Sequence, residues 1–305
     1  MRNASCQALA QLFEKKPFVF FTGDLGYKAL EPLMQAMGDR FINAGVAEQN
    51  MISVAAGLAS SGLQAWTYSI APFLYARPFE QIRNDVCLHD LDVKLVGNGG
   101  GYGYGPMGAT HHALEDYGAL LTLQNMRAFV PAFAADVAPC IQAMSATPHP
   151  CYLRLGLDER PAAFEVPAYA PWRRLLAGGG PTLLIMGPLV GKVVEALLEL
   201  EQAARPDLWA LSQLPLSLNP PPSEFLESLK RSGHLCVAEE HVAQGGLGQA
   251  LAAWLLGAGL APRRFDHLHA LGYPSKTYGS QAFHRKECGL DAAGILARIH
   301  SKAAS

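Results

Sequence analysis

Short apolar runs of β-forming residues alternate with helical patterns along the whole chain, and this alternation constrains the fold more than any other feature. In the first half the runs are FVFFTG (18–23), AWTYS (65–69), VKLVG (93–97), RAFVPA (127–132) and CYLRLG (151–156). Stretches with helical periodicity separate them, among them about 46–60 and 79–87, and a further helix is predicted at 193–204. Strands that alternate with helices pair in parallel, so the pattern predicts an α/β fold: a mostly parallel sheet covered by helices on both faces.

A proline- and glycine-rich interval divides the chain in two. Residues 158–180 contain three prolines and three consecutive glycines, a composition typical of a linker. The alternation of strands and helices then resumes at TLLIMG (182–187) and continues to FDHLHAL (265–271). We therefore predict two α/β domains, 1–157 and 181–305, joined by the linker 158–180.

Composition and charge exclude several classes of protein. The 305 residues are 50% hydrophobic and carry a formal net charge of only -2, with no basic cluster, which argues against a nucleic-acid binder. No apolar run reaches the roughly 18 to 20 residues that span a bilayer, and the N-terminal residues do not have a signal-peptide pattern. The six cysteines form no C-x-x-C pair, so no metal site is indicated. We expect a cytoplasmic protein with a small-molecule ligand.

Glu48 stands near the predicted start of a helix of small residues. The helix macrodipole favours an acid there, so this position alone predicts no function. The surrounding segments are more informative, and in chain order they are TGDLGY (22–27), AGVAEQN (44–50), YSIAPFLYARPFEQIRND (68–85) and GATHHALED (108–116). In this order and spacing they resemble the pyrimidine-binding domain of the transketolase family. VAEEHVAQGGLG (237–248) is similar to the C-terminal domain of the same family.

The resemblance implies thiamine diphosphate as cofactor, and it implies roles for several residues. This cofactor must lose a weakly acidic proton from its thiazolium carbon, and a carboxylate paired with its aminopyrimidine ring promotes that loss. Glu48 matches the family glutamate in this role. Phe73 matches the aromatic wall for the ring, Ile70 stands where many relatives have another aromatic residue, and Tyr75 is the candidate to complete the wall. Asp24 matches the aspartate that lies beside the thiazolium at the subunit interface.

The same resemblance implies substrate-binding residues. His111 matches a family histidine that reaches the substrate oxygens, which makes Glu48 and His111 the candidate catalytic pair. Arg2 and Arg154 match phosphate-recognising positions. Lys28 replaces a family serine and is included as a candidate substrate contact.

Residue types alone leave other interpretations open. Phe73 also fits an ordinary core position, Asp24 a turn at a strand end, and His111 the protein surface. Two departures from the family pattern leave the substrate open as well: Met107 replaces an aspartate that reads a sugar hydroxyl, and Gly99 replaces a phosphate-binding histidine. The substrate classes that remain are an atypical ketose, a 2-oxo acid and a sugar nucleotide derivative.

The Gly-Asp-Gly motif that begins the metal and diphosphate site in this family does not occur in the sequence. The pyrimidine-type segments also begin at once, without the diphosphate-binding domain that precedes them in a full-length transketolase. The resemblance therefore implies a split enzyme, in which an N-terminal partner subunit holds the diphosphate through Mg²⁺ or Ca²⁺ while this chain binds no metal. We expect this chain to self-associate through its pyrimidine domain in an α2β2 assembly.

The function that these expectations favour is transfer of a two-carbon ketol unit from a ketose donor to an aldehyde acceptor. The alternatives within the same cofactor class are the β subunit of a 2-oxo acid decarboxylase or dehydrogenase and a 1-deoxyxylulose-5-phosphate synthase-like enzyme. An alternative of another class is a noncatalytic scaffold or regulatory subunit that keeps only the fold.

Overall fold

The structure is a computed structural model that describes residues 1–26 and 28–301. The strands of these residues form two separate sheets. In chain order the strands are β1 (Val19–Thr22), β2 (Phe41–Asn43), β3 (Ala65–Ile70), β4 (Val93–Asn98), β5 (Arg127–Phe129), β6 (Cys151–Leu155), β7 (Trp172–Leu176), β8 (Thr182–Met186), β9 (Asp207–Leu211), β10 (Gln213–Leu214), β11 (His234–Glu239) and β12 (Arg264–Leu268).

Helices connect most of these strands and cover the sheets. They are α1 (Arg2–Lys15), α2 (Glu31–Met37), α3 (Glu48–Ser60), α4 (Ala71–Tyr75), α5 (Phe79–Gln81), α6 (Asp116–Leu120), α7 (Val137–Ala146), α8 (Val190–Leu198), α9 (Ser223–Ser232), α10 (Leu247–Gly257), α11 (Gln281–Glu287) and α12 (Ala292–His300). The wider π-type turn Ile82–Cys87 directly follows α5.

The first sheet has the strand order β10-β5-β6-β4-β3-β1-β2, and every neighbouring pair is parallel except β10 with β5. Successive side chains of β1 point to opposite faces. Phe20 packs in a core with Leu9 of α1 and Ile141 of α7, whereas Phe21 packs with Met51 of α3. Helices therefore cover both faces, as the uniformly apolar central strands predict.

The second sheet has the order β12-β11-β8-β9-β7, with only the edge strand β7 antiparallel to its neighbour. Strand β7 lies inside the interval 158–180 that was predicted as a linker. Trp172 explains why this interval is ordered, because its ring packs 4.8 Å from that of Phe225 and its Nε1 donates to the Asn219 carbonyl at 3.0 Å. The fold class, two mostly parallel sheets flanked by helices, is confirmed, whereas the domain boundaries stay a prediction.

Several element bounds differ from the sequence-based expectation. The helix expected from residue 46 begins at Glu48, and the helix expected at 193–204 is α8, Val190–Leu198. The helix expected through residues 79–87 is α5 followed by the π-type turn. Sequence reasoning overlooked α1, whose exposed polar residues weaken its periodicity. It also overlooked β9, a short DLWAL run that is buried along its whole length.

No helix within residues 1–26 and 28–301 combines the length and the apolar character needed to cross a membrane.

Candidate functional site

The candidate site lies where β1, β3 and β4 end. The carboxyl ends of parallel strands meet at one edge of a sheet, and ligands of open α/β sheets bind in the crevice outside that edge. Gly23 and Asp24 follow β1, Ile70 is the last residue of β3, and Gly99 follows β4. The first turn of α3 adds Glu48 to the same region, because an ideal Cβ on Gly23 would lie 3.8 Å from Glu48 Cγ and 3.5 Å from Ser69 Oγ.

Glu48 is the first residue of α3 and is only 5% exposed. Its Oε1 accepts a hydrogen bond from an Nη of Arg77 at 2.7 Å. Among the residues that the structure describes, Glu48 Oε2 has no hydrogen-bond partner. The buried Ser69 Oγ likewise has no partner within those residues. One oxygen of the largely buried Glu48 carboxylate and the buried Ser69 hydroxyl thus remain available to a ligand.

Phe73 provides an aromatic surface beside this carboxylate. The Arg77 guanidinium, which bonds Glu48, also lies over the Phe73 ring with Cζ 3.8 Å from the ring centroid. The His111 ring meets Phe73 edge-on at a centroid distance of 5.1 Å. Arg77 therefore links Glu48 to the Phe73 ring, and His111 contacts the same ring. Sequence reasoning missed Arg77, although its position four residues after Phe73 places both on one side of a helical segment.

Ile70 and Tyr75, the other residues predicted for the aromatic wall, have different surroundings. Ile70 is partly buried at the end of β3. Tyr75 is buried in the first domain's core, and its hydroxyl donates to Glu115 Oε2 at 3.1 Å. Burial, reinforced by the Glu115 and Asp116 carboxylates, raises the pKa of Tyr75 far above its ordinary value. The hydroxyl therefore stays neutral and acts as a hydrogen-bond donor.

Asp24, Lys28 and Arg2 lie at the protein surface, where all three residues are exposed. Asp24 adopts a positive φ of 56° and is fixed by Asn43, whose side-chain amide donates to Asp24 Oδ1 at 2.9 Å and accepts from the Asp24 N–H at 3.1 Å. It lines a cavity of about 370 Å³ together with Glu31 and Asn43. The Lys28 N–H donates to Glu31 Oε1 at 2.6 Å. Arg2 is exposed at the start of α1.

Tyr104 fills the space beside Gly99. A Cβ on Gly99, whose φ is +76°, would lie 2.2 Å from Tyr104 Cε2, so no larger residue fits there. Asn98 donates to the Tyr104 hydroxyl at 2.8 Å, and the Tyr104 ring lies 5.8 Å from that of His111. Burial raises the pKa of Tyr104, while the Asn98 amide and the Arg2 guanidinium oppose that rise. The absence of a side chain at Gly99 therefore leaves room for the Tyr104 ring.

Arg154, a predicted substrate contact, lies among protein hydrogen-bond acceptors. It is 4% exposed, and its Nε donates to Asp116 Oδ2 at 2.8 Å. One Nη donates to the carbonyls of Ala113 and Glu240, at 2.7 and 2.8 Å. Its guanidinium thus joins the two halves of the chain through protein acceptors, while a contact with substrate stays a prediction.

Glu239 forms a second link between the halves. It is fully buried and accepts hydrogen bonds from the Tyr117 hydroxyl, from the N–H groups of Leu247 and Gly248 at 2.7 and 2.8 Å, and from His267 Nε2 at 2.7 Å. Burial alone would raise the pKa of Glu239, but the His267 hydrogen bond and the other donors bring it below its ordinary value.

Replacing Glu239 by Gln should destabilise the chain by about 1.5 to 3 kcal/mol. The donors that now bond to a charged carboxylate would then share a single neutral amide oxygen. A folded-state pKa below the unfolded value means that this stabilisation is present above the unfolded pKa and is lost as the pH falls through the folded pKa. Urea unfolding of both proteins at pH 7 and near pH 4 measures this. We expect the gap between them to shrink at the lower pH, and an equal or wider gap there would contradict the assignment.

No group of three or more His, Cys, Asp or Glu side chains is arranged to hold a metal ion within residues 1–26 and 28–301. All six cysteines are buried and unpaired.

Comparison with known proteins identifies the family to which this fold and site belong. Residues 1–159 match the family model described as "Transketolase, pyrimidine binding domain". The B-type subunit of the apulose-4-phosphate transketolase of Actinobacillus succinogenes is 32% identical over 88% of this chain and 86% of its own length. The 1-deoxy-D-xylulose-5-phosphate synthase of Myxococcus xanthus is 32% identical over 88% of this chain but only 45% of its own length. The 6-deoxy-6-sulfo-D-fructose transketolase subunit SqwH of a Clostridium species is 32% identical over 72% of this chain and 69% of its own length.

Solved structures of similar fold are also transketolases. The structure described as "Split gene transketolase, inactive beta4 tetramer" superposes with a TM-score of 0.81 at 31% identity, covering 98% of this chain and 96% of that one. The transketolase of Campylobacter jejuni shares the fold with a TM-score of 0.75 at 17% identity, over 99% of this chain but only 46% of that one. The chain belongs to the transketolase family, as its motifs predict. Over nearly its whole length it corresponds to the B-type subunits of split transketolases.

Proposed function

We propose that this chain is the cofactor-activating subunit of a split transketolase that moves a two-carbon ketol unit from a ketose to an aldehyde. The observation that carries the proposal is the buried Glu48 carboxylate beside the Phe73 ring, at the carboxyl edge of the sheet. Membership of the transketolase family implies dependence on thiamine diphosphate. The bound metal, Mg²⁺ or Ca²⁺, is proposed to lie on a partner subunit.

The residues at this edge fit the aminopyrimidine end of that cofactor. Its ring needs an aromatic surface and polar partners. Phe73, half-buried and with the Arg77 guanidinium over one face, supplies the aromatic ring, while Glu48 Oε2 and Ser69 Oγ are polar atoms without a protein partner among the described residues. Gly23 adds no side chain between them. A buried polar atom that lacks a partner, as Ser69 Oγ does among the described residues, is costly, and a bound polar ring would remove that cost.

The proposed roles combine these contacts with the family resemblance of the sequence. The cofactor, when bound, supplies the nucleophilic carbon that carries the two-carbon unit. Glu48 accepts and returns a proton opposite the ring nitrogen. Phe73, with Ile70 beside it, stacks on the ring and excludes water, and Tyr75 supports that wall from the core. Asp24 faces the thiazolium side at the interface between subunits.

His111 is proposed to donate a hydrogen bond to the substrate oxygens, supported by its contact with Phe73 at the edge of the cofactor surface. Arg2 and Lys28 are proposed to receive an anionic group of the substrate. Two curated relatives are named after a phosphorylated and a sulfonated sugar, and a guanidinium pairs well with either anion.

A second kind of subunit is proposed to complete the site. The curated relatives that are each named as one subunit of a transketolase support this, and so does the relative that is described as an inactive β4 tetramer of a split-gene transketolase. In the proposed assembly, two copies of this chain associate through their pyrimidine domains and two diphosphate-binding subunits complete an α2β2 enzyme.

The isolated chain should bind thiamine diphosphate weakly or not at all, because the groups that hold the diphosphate and its metal belong to the partner. Calorimetric titration with the cofactor and Mg²⁺ tests this, first on the chain alone and then with the diphosphate-binding partner subunit. We expect a measurable affinity only in the second case. Tight Mg²⁺-dependent binding to the chain alone would falsify the split site.

The reaction is tested on the reconstituted complex with a ketose donor and an aldehyde acceptor. Transfer of glycolaldehyde from the ketose supports the proposal. Decarboxylation of a 2-oxo acid without that transfer would instead favour the second candidate, a 1-deoxyxylulose-5-phosphate synthase-like or dehydrogenase-type enzyme, for which the 32% identity to the Myxococcus xanthus enzyme is the supporting observation. Absence of turnover on every carbonyl donor would favour a noncatalytic subunit.

A further inference from the structure

A closed loop carries His111. Two backbone hydrogen bonds of 2.9 Å between Gly101 and Ala113 close its base, so residues 102–112 form a separate loop, the His111 loop. Within it the His111 N–H donates to the Gly108 carbonyl at 2.9 Å. The His111 ring contacts Thr110 Oγ1 at 2.9 Å and the Tyr104 ring. Because most partners of His111 lie in this loop, the position of the loop decides where its ring stands.

His112 points away from His111 and is 4% exposed. Its Nε2 lies 2.8 Å from the Gly105 carbonyl oxygen, and its Nδ1 lies 2.9 Å from the Tyr273 hydroxyl. A carbonyl oxygen only accepts, so Nε2 must carry the proton. Burial lowers the pKa of His112 and keeps the ring neutral. Nδ1 therefore accepts from the Tyr273 hydroxyl, and one tautomer satisfies both contacts.

Residues 272–284 of the second half of the chain support the same loop at further points. The Tyr102 hydroxyl donates to the Gly272 carbonyl at 2.6 Å. The His284 ring stacks on the Tyr102 ring at 4.7 Å, and the Tyr273 ring stacks on that of His112 at 5.7 Å. This segment joins β12 to α11, so the contact crosses from the second sheet's layer to the His111 loop.

We propose that His112 and Tyr273 are positioning residues, through which the second domain holds His111 against Phe73. The inference rests on the substrate role proposed for His111. Packing alone explains the His112–Tyr273 pair less well, because an apolar side chain would fill the same space. The His112 ring instead donates one hydrogen bond and accepts another, on opposite sides. Displacing a reacting group by as little as about 1 Å can cost up to about 10²-fold in rate.

Single-group changes separate positioning from packing. Tyr273→Phe removes only the hydroxyl that His112 accepts from. His112→Gln keeps one donor and one acceptor, whereas His112→Phe keeps a ring and loses both. Tyr278→Phe is the matched control, because it lies in the same segment and its hydroxyl has no hydrogen bond among the described residues.

Two readouts test the proposal, amide hydrogen exchange of the His111 loop in the full chain and steady-state kinetics of the complex with its partner. In Tyr273→Phe and His112→Phe we expect exchange in residues 102–112 to rise and kcat to fall about tenfold, with a smaller change in KM. His112→Gln and Tyr278→Phe should stay near the wild type in both.

Wild-type exchange in Tyr273→Phe would overturn the proposal, and so would faster exchange with unchanged kcat. If the wild-type complex itself has no turnover, the proposed function fails, while the exchange data still decide whether His112 and Tyr273 hold the loop.

Discussion

In the complete complex, Glu48→Gln should lower turnover by at least about 10²-fold, the usual effect of removing a positioned acid-base group. Gln keeps the length of the side chain and can still accept from Arg77, which now lies 2.7 Å from Glu48 Oε1. It cannot exchange a proton with the aminopyrimidine ring. Because the loss of the thiazolium proton precedes every reaction of such a cofactor, the defect should appear with any donor and acceptor. Turnover and hydrogen-deuterium exchange at the thiazolium carbon are the two measurements.

The control for this variant is its stability. An acid in the first turn of a helix contributes only about 0.3 to 1 kcal/mol, so thermal melting should change little. Arg77→Ala is the matched second variant, since it removes the partner of Glu48 but leaves the carboxylate. We expect it to retain thiazolium exchange. Normal exchange in the intact Glu48→Gln protein would return Glu48 to the role of a helix-start carboxylate.

The fold and the main site segments could be predicted from the sequence because both depend on local patterns. The apolar strands and the segments around Glu48, Phe73 and His111 are each contiguous, and the order of the strands brings their ends to one edge. In the structure, the His111 and Phe73 rings lie 5.1 Å apart. The cofactor and substrate roles of these residues stay predictions.

The links between the two halves of the chain could not be predicted in this way. Tyr117 and Glu239 are 122 residues apart, and His112 and Tyr273 are 161 residues apart. No periodicity relates positions at such separations, and a histidine or tyrosine has no pattern that distinguishes a buried hydrogen bond from a surface position. The same limit applies to Arg154: no sequence pattern indicated that its guanidinium lies among protein acceptors, and its phosphate contact stays a prediction.

The second large effect is expected for Arg154→Ala, which should destabilise the chain by about 3 to 5 kcal/mol because it leaves a buried carboxylate without its cation. Asp116 is fully buried, and its Oδ2 accepts from Arg154 and from the Tyr152 hydroxyl at 2.8 and 2.7 Å. Its Oδ1 has no hydrogen-bond partner among the described residues. For a protein of this size the melting temperature should fall by roughly 10 °C.

A double variant separates this explanation from a role in substrate binding. If the uncompensated Asp116 charge causes the damage, adding Asp116→Asn to Arg154→Ala should restore part of the lost stability, so the two changes will not be additive. If Arg154 instead binds a substrate anion, the single variant should keep its melting temperature and raise KM, since a charge-assisted contact worth about 1.5 to 3 kcal/mol is lost.

Thermal melting of the chain alone distinguishes the structural explanation from the substrate-binding one before any substrate is known. A stable Arg154→Ala protein with a raised KM would move Arg154 from the junction of the two halves into the substrate site, whereas an unstable one rescued by Asp116→Asn would leave Arg2 and Lys28 as the candidate anion-binding residues.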